Sequence, residues 1–230
     1  MVVDDSGEFV LYLGGEANSE NFLPLSTNAN MLIVRQTYKN RISQTHAKIN
    51  IKTRSTNPTP ELLTSAKLET SLNQSLAFIR GTASTFLNWV HEFKENHRNQ
   101  LPLGDQAFFQ AAGGDPKICY LHGYYEFDED EFMEITTDIP DCEYWNFQLE
   151  NYWMESLDYR HYPIHINSSS AILNNDETLT INVSHNFIDI KNNLVTEGRS
   201  NGAMLLRWIG ASTHPIPKVE IKKIDSMEAS

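Results

Sequence analysis

The sequence predicts an α+β fold that is mainly β: a jelly-roll-like antiparallel β-sandwich with an internal repeat and one long amphipathic helix. Three observations predict it. Short runs of alternating apolar and polar residues occupy both ends of the chain, as half-buried strands do. Between them lies one long stretch whose apolar residues recur every three or four positions, the period of a helix. The two β-like ends also resemble each other in sequence. Strands gathered on either side of a helix point to α+β, because a parallel doubly wound sheet would need strands and helices in alternation.

The elements follow in chain order. Glu8–Leu13 reads as a strand ended by Gly14-Gly15. A loop holding Asn18 to Asn21 leads to a second strand at Met31–Tyr38. A third follows at Ala47–Arg54, where Ile49 and Ile51 alternate with polar neighbours. Asn57-Pro-Thr-Pro60 breaks the pattern, with Thr59 placed as N-cap and Pro60 as the first helical residue. The stripe Leu72, Leu76, Ile79, Ala83, Phe86, Val90 and Phe93 predicts a core-facing helix over residues 60–96, with Gly81 as the place for a bend. A polar loop over 97–116 carries Gly113-Gly114-Asp115-Pro116. Strands return at Ile118–Phe127, Phe132–Ile135, Tyr144–Trp153, Leu179–Val183 and Met204–Ile209. The expected organisation is a partial first β unit (1–56), a helical segment and loop (57–116) and a second β unit (117–230), together one compact domain.

The likeness between the ends is specific. Asp5-Ser-Gly-Glu-Phe-Val-Leu leads to Asn21-Phe-Leu and then Met31-Leu-Ile-Val-Arg35. Asp176-Glu-Thr-Leu-Thr-Ile-Asn leads to Asn193-Leu-Val and then Met204-Leu-Leu-Arg207. Two units are too few for a solenoid or propeller. They read as one sandwich built twice, each burying a face against the other. The first unit lacks a counterpart of residues 118–160. Either an N-terminal part is missing, or the helix and another chain cover its open edge.

Composition excludes several functions. The 18 basic against 30 acidic side chains set a formal charge of −12. That field repels a nucleic-acid duplex and an anionic membrane, so neither is an expected partner. No stretch approaches the ~20 apolar residues of a spanning helix, and the acidic start Met1-Val2-Val3-Asp4-Asp5 lacks a secretory signal. A cytoplasmic location with Cys119 and Cys142 as reduced thiols is expected. The sequons at Asn73, Asn167 and Asn182 are chance matches in an Asn-rich chain.

Three segments carry a family resemblance: Asn21-Phe-Leu-Pro-Leu with Leu32-Ile-Val-Arg-Gln36, Tyr144 through Arg160, and Asn193-Leu-Val-Thr-Glu-Gly with Leu205-Leu-Arg-Trp208. Together they resemble the bacterial family known as domain of unknown function 1214, over nearly the whole chain. Phe22 and Leu194 stand where that family usually has Trp. The resemblance implies a jelly-roll-like sandwich and no established chemistry. It also implies relatives with a longer N-terminus.

The densest polar and aromatic segment is Tyr144 to His165. As a strand it puts Trp145, Phe147 and Leu149 on one face and Asn146, Gln148 and Glu150 on the other. Trp145, Gln148, Asn151, Trp153 and Tyr159 are the candidate ligand-binding residues, because aromatic faces and amides suit a small polar ligand. Asp158, Arg160 and His161 are the candidate catalytic residues. Asp158 is also expected in a buried structural pair with Arg160, Arg35 or Arg207.

No metal site and no cofactor are expected. His161 and His165 lie ~13 Å apart if they share a strand face, too far for one ion. Cys119 and His122, three apart in a strand, point to opposite faces and make no dyad without a bulge. The run Glu126 to Glu131 lacks the spacing of a calcium loop and reads as a solvated turn. Nucleophile elbows and phosphate loops are absent. Three functions stay open: a soluble sandwich that binds a small or carbohydrate-like ligand, an enzyme of unassigned class using Asp158, Arg160 and His161, and a structural protein assembling as a homo-oligomer.

Overall fold

Strands exist only where a neighbour completes their hydrogen bonds, and this rule separates the two halves of the chain. The computed structural model describes residues 1–17, 19–29, 31–53 and 62–227. It divides into two compact units, Met1–Tyr38 with Thr45–Ile49, and Lys39–Gln44 with Asn50–Ser230.

The first unit is mostly irregular. Its strands are β1 (Tyr12–Leu13) and β2 (Phe22–Leu23), paired in parallel with Tyr12 opposite Phe22. The expected strand at Glu8–Leu13 is therefore only two residues long. Those expected at Met31–Tyr38 and Ala47–Arg54 do not form in their described residues. Their patterns suit strands, yet no ladder partner lies beside them among the described residues. Val10, Met31, Ile33 and Ile51 accordingly stay exposed.

In the second unit the helical stripe becomes α1 (Ser65–Asn96). Thr64 caps it, its hydroxyl accepting from the Lys67 N–H at 3.3 Å, and Lys94 sits in the last turn where a cation suits the dipole. The expected cap at Thr59-Pro60 lies outside the described residues. α1 runs through Gly81 without interruption. The expected 97–116 loop contains a further helix, α2 (Gln106–Ala111), capped by the Asp105 carboxylate, which accepts from the N–H groups of Ala107 and Phe108.

Eight strands follow: β3 (Ile118–Glu126), β4 (Glu131–Thr137), β5 (Tyr144–Leu149), β6 (His165–Asn167), β7 (Leu179–Ser184), β8 (Asn193–Val195), β9 (Asn201–Ile209) and β10 (Lys218–Lys223). They form two four-stranded sheets, ordered β10-β4-β7-β8 and β3-β9-β5-β6. Every neighbouring pair is antiparallel except β7 and β8. Alternation then fills one interior. Leu121, Trp145, Phe147, Leu149, Met204, Leu206 and Trp208 come from one sheet, and Met133, Ile135, Ile181 and Val183 from the other. The acidic run is the β3–β4 turn, as expected, with Lys223 at 2.8 Å from Asp130.

The β3 edge is covered by chain. Residues His97–Gln100 run along it, the Asn99 N–H donating to the Tyr124 carbonyl at 2.7 Å. Gly123 permits that approach, since a Cβ there would collide with the Gln100 carbonyl. The outer face of this sheet holds a second apolar cluster of Val90, Phe93, Phe109, Tyr124 and Ala203. The end of α1 is thus anchored across β3 and β9.

Candidate functional site

The outer face of the β3-β9-β5-β6 sheet concentrates the polar chemistry, because alternation sends the other half of each strand outward. On β5 these residues are Tyr144, Asn146 and Gln148, followed by Glu150. Register places Arg207 opposite both Tyr120 and Asn146, and Asn146 opposite Asn167. One row along, Leu205 lies opposite His122 and Gln148, and Gln148 opposite His165.

Glu150 and His122 on this face are both buried. Glu150 is 4% exposed. One carboxylate oxygen accepts from Gln148 Nε2 at 3.3 Å, and the other has no hydrogen-bond partner. Burial pushes its pKa up to about 7, against the pull of the Arg207 charge. His122 is 4% exposed with Nδ1 unpartnered. Burial pushes its pKa down to about 3, helped by the charges of Arg207 and His97. At neutral pH the imidazole is uncharged, and the carboxyl is close to its own pKa. The contrast with His185 is plain. That buried ring bonds Thr196 at 2.9 Å and the Phe127 carbonyl at 3.0 Å, so it is a satisfied core residue.

His122 forms the floor of an aromatic cluster. Its ring lies 4.9 Å from Phe93 in a stack and 4.7 Å from Phe109. Trp89 closes the group at 5.1 Å from Phe108 and 5.4 Å from Phe109. A cleft of about 380 Å³ opens between the end of α1 and α2, walled by Trp89, Phe93, Phe108 and Phe109. Glu92, His97 and Asp105 supply its polar lining. His97 Nε2 is 3.5 Å from the Glu92 carboxylate, and its Nδ1 is buried without a partner. The cleft therefore joins flat aromatic faces with carboxylate acceptors.

The structure scatters the residues expected from sequence. Trp145 is in the inter-sheet core, 6.3 Å from Trp208, while Gln148 is on the opposite face of the same strand. Asn151 builds a turn, its side-chain oxygen accepting from the Trp153 and Glu155 N–H groups. Trp153 and Tyr159 are exposed, with the Arg41 guanidinium 4.5 Å above the Tyr159 ring. Asp158, Arg160 and His161 do come together: the carboxylate accepts from Arg160 Nε at 2.9 Å and lies 2.8 Å from His161 Nδ1. These partners hold the Asp158 carboxyl far below the usual carboxylate range. The Asp158–Arg160 pair expected to be buried is on the surface, because its loop runs outside the sheets.

Cys119 faces the interior and His122 the outer cluster, as three-residue spacing requires. Burial raises the Cys119 thiol to about 11, and both cysteines are free. Among the described residues no group of three metal-ligating side chains exists, and no helix is long and apolar enough to cross a membrane. Sequence reasoning missed the α1–α2 cleft. Its signal was Asp105 followed by Gln-Ala-Phe-Phe and then Gly113-Gly114, a capped short helix with two adjacent aromatics.

No protein-family profile matches the chain, and no curated protein matches it. Among solved structures, an uncharacterized protein from Burkholderia cenocepacia is 33% identical with a TM-score of 0.92, over 98% of this chain. A protein from Vibrio parahaemolyticus is 13% identical with a TM-score of 0.40, over 72% of this chain and 48% of its own. This chain spans 63% of the length of the Burkholderia protein, which shares its β-rich architecture and has no assigned function.

Proposed function

We propose that this is a soluble cytoplasmic β-sandwich protein that binds a small, ring-bearing, carbohydrate-like ligand in the cleft between α1 and α2. The cleft itself carries the reading: a volume of about 380 Å³ with Trp89 and Phe108 as stacking faces and two carboxylates beside them. Sugar rings stack their C–H faces on aromatic side chains, and their hydroxyls donate to carboxylates. The three quoted segments support placing the chain in the family of domain of unknown function 1214, as part of the same proposal.

The test is a titration of neutral mono- and disaccharides followed by tryptophan fluorescence and calorimetry. One sugar class binds the wild type and loses at least about tenfold in affinity in both Trp89→Ala and Phe108→Ala, roughly 1.4 kcal/mol for each substitution. Phe108 is half exposed, so its removal leaves the fold in place. Absence of binding by every sugar, or full affinity in Phe108→Ala, overturns the reading.

A further inference from the structure

The cleft between α1 and α2 carries negative charge that no Lys or Arg in its lining balances. Its wall on α1 is Asn88, Trp89, Glu92 and Phe93, residues three and four apart that share one helix face. The basic side chains nearby in sequence are engaged elsewhere. Lys94 lies 5.6 Å above the Tyr124 ring, and Arg98 Nε is 3.0 Å from the Glu126 carboxylate. One Asp105 oxygen caps α2 and accepts from the Ala107 and Phe108 N–H groups. Among the described residues the polar contacts of Glu92 are Asn96 Nδ2 and His97 Nε2, each 3.5 Å from the same carboxylate oxygen. Its side chain is 49% exposed.

These carboxylates border aromatic rings, with Trp89 and Phe108 5.1 Å apart. The face of an aromatic ring is its negative pole and attracts a cation, Trp most strongly. A neutral ligand can use Glu92 only as a hydrogen-bond acceptor. An ammonium group uses the same oxygens through its charge and the ring faces as well. The chain as a whole, at −12, draws cations and repels anions. On the reading of the cleft as a carbohydrate site, on which this step rests, we infer that its ligand is an amino sugar. The protonated amine lies against Trp89 and donates to Glu92, and the C–H face of the ring stacks on Phe108. The same charges disfavour sugar phosphates and sugar acids.

Calorimetric titration at about pH 7, where aliphatic amines are mainly protonated, tests this with matched probes. Glucosamine, galactosamine and mannosamine are each compared with the parent hexose and the uncharged N-acetyl form. At least one amine binds about tenfold or more tighter than its parent, and its N-acetyl form loses that advantage. Salt at about 0.5 M reduces the advantage and does not weaken the parent sugar. Glu92→Gln keeps the side-chain shape and an acceptor oxygen but removes the charge, and the preference falls to about twofold or less. An unchanged denaturation midpoint shows that this variant is folded. Equal affinity for amines and parent hexoses overturns the inference and leaves the cleft reading standing. A preference that survives Glu92→Gln intact overturns it too, because the amine is then recognised elsewhere. Absence of binding by every sugar, charged or neutral, overturns both readings.

Discussion

The two ends of α1 carry the same stripe at the same spacing and meet opposite environments. At the C-terminal end Val90 and Phe93 are 0% and 2% exposed, held against Tyr124 and Ala203 on the sheet. Toward the N-terminal end Leu72, Leu76 and Ile79 are 62%, 46% and 63% exposed. Periodicity determines that a helix forms and which face is apolar; it does not determine what the face meets. Length is the reason. A 32-residue helix is about 48 Å long, whereas four strands spaced ~4.8 Å apart offer it a platform under half as wide. One end closes on the sheet, and the other overshoots it.

The largest expected effect breaks this symmetry directly. Phe93→Ala removes a buried ring that stacks on His122 and borders the cleft, and costs about 3–5 kcal/mol of unfolding free energy. Ile79→Ala, on the same stripe, changes stability by no more than about 0.5 kcal/mol, as exposed sites do. Urea denaturation measures both. Equal losses at the two positions show that the overshooting end is covered in solution.

A smaller effect isolates the face on which the closed end rests. His122 has its pKa lowered in the fold, so the stability it contributes is present above its unfolded pKa and is lost as pH falls toward about 3. Glu150 is raised, so its contribution is present below its unfolded pKa and is lost as pH rises through about 7. Between the two unfolded values, about pH 4.5 to 6.5, the slopes of these two groups oppose each other. Glu150→Gln leaves His122 alone, and stability then rises with pH by about 2 kcal/mol across that window. His122→Phe leaves Glu150 alone, and stability falls by a similar amount. Denaturation midpoints at a series of pH values read both slopes, and two flat variant profiles would show that neither group is buried as described.

The second unit was legible in sequence and the first was not, for one physical reason. Strands β3, β4, β5, β7 and β9 appear as alternating runs, and each finds a ladder partner within the same unit. Met31–Tyr38 reads equally well as a strand but joins no ladder among the described residues. Short edge elements such as β6 and β8, three residues each, carry too little pattern to be read at all. At the site, alternation correctly separated Trp145 from Gln148 in face. It gave no hint that His122, from a different strand, would lie under Phe93 and Phe109. That meeting depends on how α1 and α2 land on the sheet, and such tertiary placement leaves no periodic trace. Asp158, Arg160 and His161 were readable as a cluster because they are close in sequence, which is also why their contacts are local and exposed.

The smallest effect tests the overshooting end by improving it. Gly81 lies within α1 in ordinary helical conformation, and a Cβ built there meets nothing within 4 Å. Glycine in a helix interior costs roughly 0.5–1 kcal/mol relative to alanine, mainly through the freedom it restores to the unfolded chain. Gly81→Ala should therefore stabilise the protein by about that amount if unfolding of this end is coupled to the rest. If instead the overshooting end frays independently of the sheet-bound end, the gain appears only as local amide protection over residues near 72–85, with the global midpoint unchanged. Exchange and denaturation measured on the same variant separate the two cases. A loss of stability would mean that some surface packs closely against Gly81, so that this stretch of α1 is not open at all.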